Sequence, residues 1–112
     1  MRRLLHGDFD MAVRLVLAAP AGAEKARLKA VLAEADEAHR LHRATGRPHK
    51  RFGSGSLLSA AFRHPLAPLP MAVTPDYCRA VQIVAQCLAE RLATASADQP
   101  RAQERHLGTV GS

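Results

Sequence analysis

Apolar side chains recur along this chain at three- and four-residue steps, the spacing that lines one face of an α-helix. Phe9, Ala12, Val13, Val16 and Leu17 share such a face and predict a first helix over about 9–18. His6-Gly7-Asp8 precedes it as a break followed by an acidic cap, since an aspartate carboxylate accepts from the unpaired N–H groups of a helix start. Pro20-Ala21-Gly22 turns the chain, and Leu28, Val31, Leu32, Ala35, Ala38 and Leu41 then predict a long second helix over about 23–44. Gly46 is placed to end it in a left-handed conformation, with Pro48 preventing its restart.

A loop follows to about residue 55, after which Ser54 or Ser56 caps a short helix carrying Leu57, Leu58, Ala61 and Phe62. Pro65, Pro68 and Pro70 keep the next stretch extended. Thr74-Pro75-Asp76 is the clearest start signal in the chain: a hydroxyl cap, a proline where no N–H is needed, and an acid in the first turn. The helix it opens runs over about 75–95, with Tyr77, Val81, Val84, Leu88 and Leu92 on one stripe and Ile83 and Cys87 broadening it. Residues 96–112 lose the stripe and read as a flexible tail.

The expectation is therefore an all-α domain over 1–95, a small bundle of about four helices. Its long second and last helices form the main antiparallel pair, and the two short helices cover the remaining face. Composition agrees: one Ile, one Tyr and no Trp leave little of what strands prefer. Of the 112 residues, 22 are alanine, so the larger apolar side chains that can build a core are few. A scarce core motivates burial against a second copy or another protein.

Charge changes the picture, because the net +6 is not spread evenly. Basic and acidic side chains balance over 1–37 and again over 76–112. The whole excess lies in 38–75, where Arg40, Arg43, Arg47, Lys50, Arg51 and Arg63 meet no acid, and His39, His42, His49 and His64 add partial charge in mild acid. Such a segment attracts phosphates, nucleic acid, anionic lipid or an acidic protein face. It is equally what a solvated basic face looks like. Within it, Gly53, Ser54, Gly55 and Ser56 lead into a helix start, where backbone N–H groups and the absence of a Cβ suit an anion. The same residues also make an ordinary helix connection, and the P-loop spacing with its lysine is missing. Phe52 beside Lys50 and Arg51 offers either a stacking ring or an anchor for the loop.

Catalytic and metal signals are thin. His39 and His42 share a helix face without a third ligand at suitable spacing. Asp8 and Asp10 read as caps, Glu34 and Glu37 as solvated positions, and Ser54 and Ser56 lack a nucleophile elbow. Cys78 and Cys87 fall on opposite faces of one helix and read as reduced, buried side chains. No enzyme activity, metal or cofactor is expected. Arg2-Arg3 and Ala18-Ala19-Pro20-Ala21 imitate a secretion signal, but Asp8, Asp10 and Arg14 interrupt it. A cytoplasmic protein without membrane contact is expected.

The opening Met1-Arg2-Arg3-Leu4-Leu5-His6-Gly7-Asp8, with Thr45-Gly46-Arg47-Pro48-His49 and Gly53-Ser54-Gly55-Ser56-Leu57, resembles a short uncharacterised family, a domain of unknown function, of Rhodobacter-like alphaproteobacteria. The resemblance covers about residues 1–95 and implies bacterial origin and cytoplasmic solubility. In size, class and charge the chain also resembles the small terminase subunits of phages and gene transfer agents, which implies an oligomeric DNA-binding role. Together these readings favour a non-enzymatic protein that contacts nucleic-acid phosphates through Arg40, Arg43, Arg47, His49, Lys50, Arg51, Gly53, Ser54, Gly55 and Ser56. The alternative is a helical interaction or self-assembly module with no nucleic-acid role.

Overall fold

Residues 3–97, which the computed structural model describes, form four helices and no strand: α1 (His6–Ala18), α2 (Glu24–Thr45), α3 (Leu57–Ala61) and α4 (Pro75–Ala97). The tail expected over 96–112 lies, from residue 98 onward, outside the described residues.

Three helix ends follow the local chemistry anticipated for them. Gly46 closes α2 at φ 72°, its N–H donating 2.8 Å to the His42 carbonyl. The Ser56 hydroxyl accepts from the Ser59 N–H at the start of α3, and the Thr74 hydroxyl from the Tyr77 N–H at the start of α4, each at 3.1 Å. The first helix departs from expectation. It begins at His6, so Gly7 lies in the first turn and Asp8 three residues in rather than ahead of the helix. A first turn needs no intrahelical N–H bonds, so a glycine there costs little cooperative structure. The Asp8 carboxylate reaches back to accept the Leu5 N–H at 2.8 Å, which caps the helix from inside.

The core gathers Val13 and Leu15 of α1, Leu28 and Val31 of α2, Leu57 of α3 and Val84 of α4, all fully buried. Each contributes about 1.5–3 kcal/mol through the apolar surface it withdraws from water. Buried alanines fill the spaces between them: Ala12, Ala35, Ala60, Ala61 and Ala80 let the helix backbones approach closely. Three expected core residues lie outside: Leu92 at 53%, Phe62 at 62% and Leu41 at 36% exposure. Cys87 is buried as expected, whereas Cys78 is exposed; both are free thiols.

The arrangement of the long helices corrects the expected antiparallel pair. Arg79 reaches Glu24 at 3.3 Å, and Arg91 is bonded to Asp36. Both contacts advance by the same number of residues along each helix, so α2 and α4 run parallel, tied at two points about 18 Å apart. α1 is the central element. It packs against the other three helices, and α4 packs more extensively on α1 than on α2. Leu5 and Phe9 face Leu88 and Leu92, while Val16 and Leu17 lie by Ala80 and Ile83, so α1 and α4 are antiparallel.

The extended proline segment makes this possible. After α3 it runs back along α1, where Ala67 donates to the Arg14 carbonyl at 3.1 Å and accepts from the Arg14 guanidinium at 2.8 Å. It thereby delivers α4 to the end of the molecule where α1 turns into α2. None of the helices is long and apolar enough to cross a membrane.

Candidate nucleic-acid interface

The basic segment begins on the last turns of α2. Arg40 and Arg43 are exposed there. At about 100° per residue both lie within about 40° of Asp36, on the flank of α2 that meets α4. Glu34 lies about 120–180° around the helix from them, on the flank that meets α3. It is half-buried rather than solvated, its carboxylate 2.7 Å from His64 Nε2 just beyond α3.

The chain from Arg47 to Ser56 folds back against α2, with Gly55 at His39 and His49 near Glu37, and its order comes from its own contacts. The Thr45 hydroxyl accepts from the Arg47 N–H at 3.2 Å. His49 and Gly53 exchange both backbone bonds, at 2.8 and 3.1 Å, closing a small ring of chain. Inside that ring His49 Nδ1 accepts from the backbone N–H groups of Arg51 and Phe52, at 3.0 and 3.1 Å. Its lone pair is thus engaged and the ring proton sits on Nε2, which lies 3.9 Å from the Glu37 carboxylate. The imidazole stacks on Phe52 with centroids 4.5 Å apart and planes 13° from parallel.

Two guanidinium groups join that stack. The central carbons of Arg51 and Arg63 stand 5.7 and 5.6 Å from the Phe52 ring centroid, within the range where a cation is drawn to an aromatic ring. His49, Arg51, Phe52 and Arg63 are therefore brought together. Arg63 is the member that sequence reasoning misses, because nothing in residue spacing couples it to a ring eleven positions earlier. Phe52 is half-buried, with its ring already covered.

Gly53, Ser54, Gly55 and Ser56 are engaged internally. A Cβ on Gly53 would come within 2.7 Å of the Ser59 Cβ, and one on Gly55 within 2.8 Å of the His39 Cα, with φ at +85° and +100°. Their glycines thus allow the loop to seat against α3 and α2. The Ser54 and Ser56 hydroxyls both bond the Ser59 hydroxyl, at 3.0 and 2.9 Å. The start of α3, where an anion was expected to fit, already holds one: the buried Asp8 carboxylate accepts the Leu58 N–H at 3.1 Å while holding Leu5 with its other oxygen. Its place in the sequence suggests only a local cap, yet this second bond joins residues fifty positions apart.

What faces outward is the cations. Arg40, Arg43, Arg47, Lys50, Arg51 and Arg63 are all exposed, and among the described residues none forms an ion pair. They surround the end of α2, Arg40 and Arg43 towards α4, Arg47, Lys50 and Arg51 on the loop, and Arg63 just beyond α3. Among the described residues no group of three or more His, Cys, Asp or Glu side chains is placed to hold a metal ion.

A family model described as a domain of unknown function (DUF7742) matches residues 2–88, which include the whole of this surface. No curated protein and no solved structure matches the chain.

Proposed function

We propose, from the premise that the chain belongs to the DUF7742 family, that it is a small non-enzymatic protein which binds nucleic-acid phosphates through the basic end of α2 and the loop after it. The observation that supports this is the set of six exposed cations, Arg40, Arg43, Arg47, Lys50, Arg51 and Arg63, without carboxylate partners among the described residues. Unpaired cations set around one helix end suit a ligand with several phosphates in a row better than a single phosphate in a pocket. The loop is held by hydrogen bonds within the protein, so the side chains carry the contact. In this reading the protein works in a bacterial cytoplasm as a DNA-packaging or DNA-associated accessory.

The experiment is a salt titration of affinity for nucleic acid. Binding is expected at low salt and falls as salt rises. Replacing Arg47, Lys50 and Arg51 together with Ala lowers the slope of log affinity against log salt by about 0.9 for each phosphate that is no longer neutralised, or somewhat less on single strands. Undetectable binding at low salt, or an affinity indifferent to salt, ends the proposal.

A second reading, self-association, is favoured by one feature. The groove between the start of α1 and α4, about 540 Å³, is rimmed by Leu5 at 66% and Leu92 at 53% exposure. Large apolar side chains grouped about one groove are what a partner surface would cover.

A further inference from the structure

We propose that Phe62 is a base-stacking platform, so that the basic surface prefers single-stranded nucleic acid over duplex; this rests on the phosphate-binding reading above. Phe62 ends α3 at 62% exposure. Its neighbour Arg63 has its guanidinium at the Phe52 ring, in the same cluster as Arg51 and His49. On a helix, Phe62 follows Leu58 and Arg63 follows Ser59 at four-residue steps. Ser59 is bonded to Ser54 of the loop, so Arg63 turns towards the loop and Phe62 lies beside it on the adjoining side.

This placement separates two roles that the sequence pattern offers to one ring. Phe52 is covered by an imidazole and two guanidinium groups, which hold the cations in position. Phe62 keeps most of its surface in water and adjoins one of those cations in the chain. An exposed ring near phosphate-binding groups stacks on a base only when that base is unstacked, as in a single strand. In a duplex the base faces are buried in the stack, and only the phosphates remain to be bound. The ligand is single-stranded nucleic acid as a class; oligo(dT) and oligo(rU) represent its deoxyribose and ribose forms.

The test compares oligo(dT), oligo(rU) and a blunt DNA duplex of equal length, with the full chain and two variants. Phe62→Ala is expected to weaken binding of one or both single strands about tenfold, leaving duplex affinity and the salt slope unchanged. Whichever strand is affected identifies the sugar. Since the chain has no tryptophan, Phe62→Trp places a lone reporter at the platform. Its emission is quenched on binding a single strand and unaffected by duplex. Because the side chain is largely exposed, both variants keep the fold, which circular dichroism verifies. If single strands and duplex bind alike, and Phe62→Ala alters neither, the stacking role is overturned while phosphate binding stands. If nothing binds at low salt, both proposals fall.

Discussion

At the residue scale, Asp8 carries more of the architecture than its place in the sequence suggests. It is a buried acid, and its two oxygens satisfy the Leu5 N–H at the start of α1 and the Leu58 N–H at the start of α3. Both donors belong to helix starts, where backbone N–H groups lack partners and the local field favours a negative charge. Asp8→Ala removes both acceptors, leaving the Leu58 N–H at the half-buried start of α3 and the Leu5 N–H at the exposed start of α1 without them. We expect destabilisation by about 2–4 kcal/mol, read as a lower urea midpoint with an unchanged m-value. A change below about 0.5 kcal/mol would show that water replaces the carboxylate. The capping tendency of an aspartate near a helix start was legible in the chain. Its exact position within the turn and its bond to α3 were not, because the second donor comes from a remote segment. The same holds for Gly53 and Gly55: turn residues by composition, they are required by the close approach of Ser59 and His39.

At the element scale, the parallel course of α2 and α4 departs furthest from expectation, and it is fastened by Glu24 with Arg79 and Asp36 with Arg91. Each acid sits on α2 and each arginine on α4, so a shift of either helix by one turn would separate both pairs. Burial alone pushes the Asp36 carboxyl up, the Arg91 guanidinium pulls it down, and the net result lies below the ordinary aspartate range. A depressed value in the folded state means that the ionised Asp36 carboxylate stabilises fully above the unfolded pKa, near 3.9, and loses its effect as pH falls through the folded value. Urea melts from neutral to acid pH should therefore show native protein losing more stability below about pH 4 than Asp36→Asn does. Because both side chains are about one-third exposed, the difference at neutral pH is about 1 kcal/mol or less. Equal acid dependence of the two proteins would count against this pair as a fastening. Helix existence and most helix ends were legible from periodicity and caps. The pairing was not, because Pro65, Pro68 and Pro70 announce an extended segment without saying that Arg14 would hold it along α1.

At the scale of the whole molecule, α1 occupies the centre, and two consequences follow from its place. The small core is assembled around one short helix, and an apolar groove opens between α1 and α4. If that groove is where a second copy docks, sedimentation should show association rising with protein concentration, and thermal stability should rise with it. Leu5→Glu together with Leu92→Glu should abolish both effects while keeping the monomer folded, since both side chains are exposed. A native chain that stays monomeric at every concentration would remove self-association. The sequence by itself determined the helical class, the approximate helix ends and the confinement of excess charge to one segment. Those properties depend on local backbone preference and residue order. Tertiary structure alone decided that α2 and α4 run parallel, that Phe52 is covered while Phe62 is exposed, and that Asp8 fills the start of α3. Each of these is a contact between segments far apart in the chain, and local pattern carries no information about which distant groups will meet.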